Sequence, residues 1–448
     1  PEAATRKAKA LVEAAVARAS LLEPVDDVSV QVVQKALVIG GGLAGMTAAL
    51  TLADQGIPVT LVEREGWLGG VARLIVHNLG TSPPRRLVEQ TALRVLSHRR
   101  ITTRLNAGVR RLDGGVGDFK GWIVQNGRTV PVEAGAVIVA TGGRPYEPTE
   151  FHYGDHPGIM TQLELEERFL SGPSALPRVT VMIQCVGSRS EEFPMCSRVC
   201  CSAAVKNAVR LLEEKPGAAV YVLYRDIRTF GFKEEYYRKA RDLGAVFVRL
   251  EPETPPEVQV EDGRIDVSVF DPSSGLKLCI SPDALVLSVG IRPHDGADAV
   301  AAMLKLSRGQ EGFFMESHPK LSPLDANTQG VFLCGLAHSP RFIEESLAQA
   351  RGAAGRAAGL LVQSEIRVSG TVAEVIRVRC SACLTCVYVC PYHVPRMDEQ
   401  GISVIDPRGC QGCGVCVAEC PAKAISMKHC TDAQLGALTG AAAGGVNR

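Results

Sequence analysis

Residues 35–63 read KALVIGGGLAGMTAALTLADQGIPVTLVE, and the way this stretch parses sets the fold. Ala36–Ile39 is a short apolar run with β-branched residues, as expected of a parallel strand buried on both faces. Gly40, Gly42 and Gly45 follow in G-x-G-x-x-G spacing. Residues 44–53 then read as a helix and residues 58–62 as a second strand. Glu63 ends that strand, about twenty residues past the glycines. In this pattern the first glycine permits a tight turn, the second lets a pyrophosphate approach the backbone, and the third lets helix and strand pack closely. The helix N-terminus offers free N–H groups and a partial positive charge. Glu63 can accept hydrogen bonds from a ribose and would repel a 2′-phosphate. A glycine-rich turn without ligand is the bland alternative, but strand, helix and acid in register make a dinucleotide site the better reading.

Three further stretches separate FAD from NAD. Arg64 follows the acid, and Gly69-Gly70 lies shortly after it. This second Gly-Gly resembles that of the two-dinucleotide-binding-domain flavoproteins, where it lies against the flavin pyrophosphate. Residues 137–143, VIVATGG, resemble their second FAD motif and bring in Ala140, Thr141 and Gly142. Residues 328–335, TQGVFLCG, resemble the third and end on Gly335. That motif usually continues with Asp; here Leu336-Ala337-His338 follows. Three motifs in order point to FAD at the first site. A long helix over 342–361, with Glu344 in its first turn, is expected to aim its N-terminus at the flavin.

With 448 residues the chain can fill two or three domains with large cores. Its net charge of +1 argues against nucleic acid or an anionic membrane as a general partner. No stretch reads as a transmembrane helix or a secretory signal. Fifteen cysteines in a large chain of this kind point to metal clusters in a reducing compartment, the cytoplasm, rather than to disulfides.

In chain order, residues 2–23 read as an alanine-rich charged helix packed outside the flavin domain. Residues 28–33 read as a strand or linker, 77–84 as a loop, 87–96 as a helix, and 108–132 as a meander carrying Trp122. A second α/β unit begins after Pro177, with strands at 179–183, 218–223 and 284–290. Its first strand should lead into another glycine loop, but the sequence runs Gln184-Cys185-Val186-Gly187-Ser188-Arg189. The second nucleotide site is therefore read as lost, because close backbone approach needs those glycines. Arg292-Pro293 after the last strand repeats Arg144-Pro145, as two homologous folds would.

Cysteines take the place of that glycine loop. Cys185, Cys196, Cys200 and Cys201 have the spacing C-x10-C-x3-C-C. Four thiolates suit one iron–sulfur cluster or one zinc ion, yet adjacent ligands match neither habit, and buried free cysteines are the third reading. Ser202 reads as the N-cap of a helix over 203–214 that Pro216-Gly217 ends. Lys206 lies one turn inside. A lone helical lysine is usually solvated, but this one follows the cysteines in a domain facing the flavin, so it could favour a negative charge there. Arg225, Arg228 and Lys233 could line a site; a charged solvated face is the blander reading of 225–250. Cys279, Cys334 and Cys430 match no motif.

The C-terminal region gives the most specific signal. Cys380, Cys383, Cys386 and Cys390-Pro391 form C-x2-C-x2-C-x3-C-P, and Cys410, Cys413, Cys416 and Cys420-Pro421 repeat it. This is the bacterial two-cluster ferredoxin spacing, in which the fourth cysteine of each run serves the other cluster. One [4Fe–4S] cluster should use Cys380, Cys383, Cys386 and Cys420, and the other Cys410, Cys413, Cys416 and Cys390. A zinc module fits the repetition and the prolines less well.

Taken together, the chain resembles the A subunit of heterodisulfide reductase and its bacterial relatives. The likeness spans the helix ending ARASLLEP, the glycine loop, IQCVGSR…CSRVCCSAAVK, YRDIRTFG and the ferredoxin with its MKHCTDAQ tail. It implies an unusual [4Fe–4S] cluster on Cys185, Cys196, Cys200 and Cys201, and so three clusters in all. It implies that Lys206 lies near flavin N5. It implies flavin-based bifurcation, one electron going through B and C subunits to a high-potential acceptor and the other to low-potential ferredoxin. Archaeal members often carry a cluster-bearing N-terminal domain and a ferredoxin insert after the Gly-Gly. Residues 77–95 hold no cysteine, so the insert is expected to be absent and with it one electron branch.

The expected architecture is α/β. It comprises an N-terminal helix and linker (1–34), an FAD-binding part (35–150) with its return (296–368), a second Rossmann-like domain bearing the cysteines (151–295), an α+β two-cluster ferredoxin (369–430) and a tail (431–448). The expected function is an FAD and iron–sulfur oxidoreductase subunit of a heterodisulfide-reductase-like complex. It would be a homodimer within a larger assembly containing B- and C-like subunits, a hydrogenase- or dehydrogenase-type input subunit, and ferredoxin. The alternatives are an NAD(P)H:ferredoxin-type oxidoreductase and a pure relay subunit, as in class II benzoyl-CoA reductases.

Overall fold

A computed structural model describes residues 2–446 except 26, 80–82, 252 and 369. Part of the loop expected at 77–84 therefore lies outside the described residues. Ala36–Ile39 is fully buried at the centre of a seven-stranded sheet. Val331–Leu333, Ala136–Val139, Ala36–Ile39, Val59–Val62 and Ile101–Arg104 run parallel in that order. Two antiparallel strands, Ser322–Ala326 and Glu316–His318, extend the edge. The Leu43–Asp54 and Ile343–Leu361 helices cover one face, with Met46, Leu50 and Ala354 in the core. The expected meander (Ala107–Gly115, Asp118–Gln125, Arg128–Ala134) covers the other, through Phe119, Ile123 and Val132. Helices on one face and a sheet on the other explain why the central strands are continuously apolar.

The turn between Ala36–Ile39 and its helix shows the steric logic of the glycines. Gly40 takes φ +111°, which disfavours any side chain. A Cβ on Gly45 would collide with the Gly40 carbonyl oxygen and crowd the Ala140 side chain. The helix can start this close to two strands only because nothing projects there.

The second sheet is five-stranded and parallel, in the order Ile159–Thr161, Ala284–Val289, Val179–Val186, Ala219–Tyr224, Val246–Arg249. Its first strand lies upstream of Pro177, so the unit begins earlier than the strand reading placed it. The Gln162–Leu170 and Cys200–Glu214 helices pack on one face, and a three-stranded antiparallel sheet covers the other. Where the two Arg-Pro repeats meet, Gly143–Pro145 and Ile291–Pro293 pair as an antiparallel ribbon joining the two units.

The cysteine-rich C-terminal region has internal repetition. Two short helices, Thr385–Val389 and Val415–Glu419, lie with two small antiparallel ladders, one of them joining the module's two ends. Arg408 anchors it to the meander by donating to Asp118 at 2.9 Å. Glu2–Ala19 is helical and packs on the C-terminal helix Asp432–Val446, outside the flavin unit. Gln434 donates to the Leu21 carbonyl and His429 bonds that of Glu23, because the chain after the ferredoxin returns to the N-terminus. Residues 28–33 are a strand over Val28–Gln31, paired with Glu365–Val368. Among the described residues no helix is long and apolar enough to cross a membrane.

Gly45→Ala should destabilise the chain by about 1–3 kcal/mol, the usual range for overpacking. Chemical denaturation alongside flavin absorbance would check this, and a variant with unchanged stability and full FAD would refute the steric reading.

Candidate functional site

The glycine loop is held by Glu63 and not only by its own geometry. Glu63 Oε2 accepts the Gly41 N–H at 2.6 Å, and Oε1 accepts the Glu65 N–H at 2.9 Å. Gly69 N–H donates to the Gly41 carbonyl, so the second Gly-Gly lies directly on the loop. Gly42 and Gly142 face open space, and the Thr141 Oγ1 is buried without a partner. Ala140 is buried, its N–H bonded to Ile39. Open backbone, an orphaned hydroxyl and a carboxylate at the strand end fit a dinucleotide.

Three candidates sit differently. Arg64 is exposed and pairs with Glu65 at 3.2 Å. Glu344 is exposed and pairs with Lys233 at 2.9 Å, because the first helical turn presents it to the second unit. The Gly335 N–H is taken by Gln349 Oε1 at 3.0 Å. Near it, where the missing Asp would follow, His338 is half-buried. Its Nδ1 accepts from Arg341 (3.1 Å) and Gln349 (3.0 Å), which leaves Nε2–H to donate to Glu316 at 2.6 Å.

In the second unit, Cys185 is the next-to-last residue of the Val179–Val186 strand, in the left-handed region (φ +65°), and Cys200 and Cys201 open the Cys200–Glu214 helix. The helix starts three residues earlier than expected. Ser202 is thus inside the first turn rather than an N-cap, and its Oγ is buried without a partner. The sulfurs occupy the strand-to-helix turn that holds pyrophosphate in a nucleotide-binding Rossmann unit, with the same helix dipole behind them. Arg189 bonds Cys185 and pairs with Asp226 at 2.8 Å, and Arg225 donates to the Arg189 carbonyl. Cys201 bonds the Asp226 carbonyl. The Cys200 hydrogen bond, with Arg228 and Arg189, brings the Cys201 thiol down to about 7 against the cost of burial. Its partner Cys200 is pushed up by that same bond and by burial, and Cys185 by burial. The 225–228 segment therefore faces the sulfurs and is not merely a solvated face. Four sulfurs ringed by arginines at a helix start form a donor set for an anionic cluster. Among the described residues no three His, Cys, Asp or Glu side chains converge on a point for a single ion.

Lys206 is buried, not solvated. It ion-pairs with the buried Glu166, and its ammonium also donates to the His77 carbonyl at 3.0 Å. Glu166 accepts the Val76 N–H at 2.7 Å through its other oxygen. Lys206 thus fastens the second unit to the segment just after Gly69-Gly70. Burial lowers its pKa, with Glu166 opposing. Sequence reasoning missed Glu166 and His77: neither stands in a motif, and only the packing of Gln162–Leu170 on Cys200–Glu214 joins them to Lys206. The polar row continues inward. Asn207 donates to Gln162, and Gln162 and Gln184 both donate to Ser288, ending beside Cys185.

In the C-terminal region Cys380, Cys383, Cys386 and Cys420 line one cavity with Leu384 and Ile425. Burial and the sulfurs of Cys410, Cys390 and Cys413 push the Cys416 thiol up to about 11. Cys420 thus lies with the sulfurs of the first motif, and Cys390 near those of the second. Lys305 of the first unit faces Cys390 and Asp406.

Desolvation, then the Lys206 and Arg210 charges, lower His77 from 6.5 to about 3. The unfolded chain therefore binds a proton between those values that the folded chain does not. Stability should fall by up to about 1.4 kcal/mol per unit as pH drops through this window and level off below it. Thermal midpoints of wild type and His77→Gln across pH 3–7 would check this, and equal acid slopes would refute it.

Comparison with known proteins bears on the fold and the family. The model of the pyridine nucleotide-disulphide oxidoreductase family matches residues 34–172, and that of the 4Fe-4S dicluster domain residues 379–424. The fold is similar to thioredoxin reductase from Lactococcus lactis (TM-score 0.52, 18% identity, 73% of this chain and 99% of that one). The A subunit of the H(2):CoB-CoM heterodisulfide,ferredoxin reductase of Methanothermobacter marburgensis is 32% identical over 89% of this chain and 75% of its own length. The A subunit of the Ferredoxin:CoB-CoM heterodisulfide reductase of Methanosarcina acetivorans is 29% identical over 96% and 70%. With the flavoprotein fold, the dicluster module and these relatives in agreement, the chain belongs to the family of heterodisulfide reductase A subunits, which are iron–sulfur flavoprotein oxidoreductase components.

Proposed function

We propose that this chain transfers electrons within a heterodisulfide-reductase-like complex, with FAD at the Gly40–Gly45 loop and three [4Fe–4S] clusters. Two clusters would use the ferredoxin cysteines with exchanged fourth ligands, and the third Cys185, Cys196, Cys200 and Cys201. When bound, FAD would exchange electrons in pairs and each cluster singly. The observation that carries this reading is the replacement of the second phosphate loop by four cysteines against the Cys200–Glu214 helix start, ringed by arginines. It also disfavours a nicotinamide site there, since the turn a second pyrophosphate needs is filled by the cysteine loop.

The chain's own residues divide the work. Glu63 shapes the phosphate loop and would hold the ribose end of a bound dinucleotide. Lys206 carries a buried positive charge between the Gly69-Gly70 segment and the cysteine unit, where it would favour negative charge on the isoalloxazine. Arg189, Arg225 and Arg228 offset the charge of the sulfur ligands. Bifurcation, with B- and C-like subunits and ferredoxin as partners, is the proposed role in the complex. Crossed one-electron potentials of the flavin support it, and ordered ones leave a relay.

Metal analysis tests the cluster count. The isolated chain should hold about twelve irons, falling to about eight in Cys200→Ala. About eight in both would remove the third cluster. Lys206→Ala should lower the FAD midpoint potential while FAD and iron stay bound, and an unchanged potential would take Lys206 out of the site.

A further inference from the structure

Arg198 lies between two of the cysteines and joins them to the other unit. Its backbone is left-handed (φ +60°), and its N–H donates to Cys196 Sγ at 3.3 Å. Its guanidinium leaves the second unit and pairs with Glu345 of the Ile343–Leu361 helix at 2.8 Å. That helix packs on the first sheet beside the glycine loop's own helix. Glu345 is fixed in advance, since its other oxygen accepts the Phe342 N–H at 2.9 Å and closes the helix start. A second contact flanks the first. Phe230 lies under the Arg198 guanidinium and edge-on to Phe342, while Lys233 sits 4.1 Å above the Phe342 ring.

Two features set this pair apart from an ordinary surface ion pair. One partner is locked by a helix cap. The other has its own N–H on a ligand sulfur, so any movement of Arg198 is a movement of the cysteine loop. Exposures of 34% and 30% leave both side chains partly desolvated.

We propose that Arg198 is a positioning residue: its pair with Glu345 clamps the cysteine loop onto the first turn of the last FAD-unit helix and fixes the gap electrons cross between the two sites. Electron transfer falls steeply with distance, so a loop tied at this point has a set rate. This rests on the reading that Cys185, Cys196, Cys200 and Cys201 hold a cluster.

The test is stopped-flow reduction of the full chain by dithionite, followed at FAD and cluster wavelengths as one electron leaves the cluster and enters FAD. Arg198→Glu and Glu345→Arg should each slow that step with iron and FAD contents unchanged, and the charge-swapped double variant should restore it. Glu345→Gln, which can still cap the helix, should slow it as well. Single variants at the wild-type rate, or a double variant no faster than the slower single, would overturn the clamp. So would loss of iron confined to Arg198→Glu while Glu345→Arg and Glu345→Gln stay fast. Unchanged iron in Cys200→Ala would instead overturn the cluster reading itself.

Discussion

On the proposed cluster reading the sulfur ligands are anionic, and a group buried beside a helix start must find its compensating positive charge nearby. That constraint organises the second half of this molecule. The dipole of the Cys200–Glu214 helix supplies part of the charge, and Arg189 and Arg228 supply more. Arg189 is then held by Asp226, which brings the 225–228 segment over the cysteines. The loop carrying Cys196 needs its own supports. Ser197 accepts the Ile291 N–H at 2.8 Å, and the Arg292 guanidinium is stacked between Phe193 and Tyr146. Gly187 has room for no side chain over Tyr146, which brings the loop close to the ribbon joining the two units. Placing four sulfurs thus fixes the shape of two loops and the crossover.

The same economy of space governs the buried polar row. A lysine under the protein surface is tolerated only with a partner, and Glu166 is that partner. Because Glu166 also accepts a backbone N–H from residue 76, the pair fixes the chain beyond Gly69-Gly70 relative to the second sheet. Asn207, Gln162, Ser288 and Gln184 carry the hydrogen bonds on to the residue before Cys185. A continuous polar connection therefore runs from the flavin-side segment to the cysteine site, through residues that have no place in any motif.

What the sequence reveals and what it hides divide along this line. The glycine loop, Glu63 and the ferredoxin cysteines are legible because local backbone geometry or fixed ligand spacing demands those residues at those intervals. The meander and the central strands of both large sheets are legible from alternation and apolar runs. Glu166 and His77 are not, because their role exists only once two helices and a loop distant in sequence meet. Glu344 reads as a flavin-side residue by its place in a first turn, yet the turn faces Lys233. Its neighbour Glu345 carries the contact to the cysteine loop. Ser202 looks like a cap by type, but adjacent cysteines at the turn start the helix before it.

Both ends of the chain constrain the ferredoxin module. Residues 406–408 tie it to the meander, and the helix after it returns to Glu2–Ala19. The anchor is asymmetric. Arg408 stands two residues before Cys410, and Lys305 faces Cys390, so the sulfurs of one group lie toward the flavin unit. Each group has one exposed sulfur, Cys383 in one and Cys413 in the other. A symmetric sequence repeat is thereby made directional by its attachment. One group meets a lysine of the first unit, and only the folded contacts, not the repeated spacing, distinguish the two.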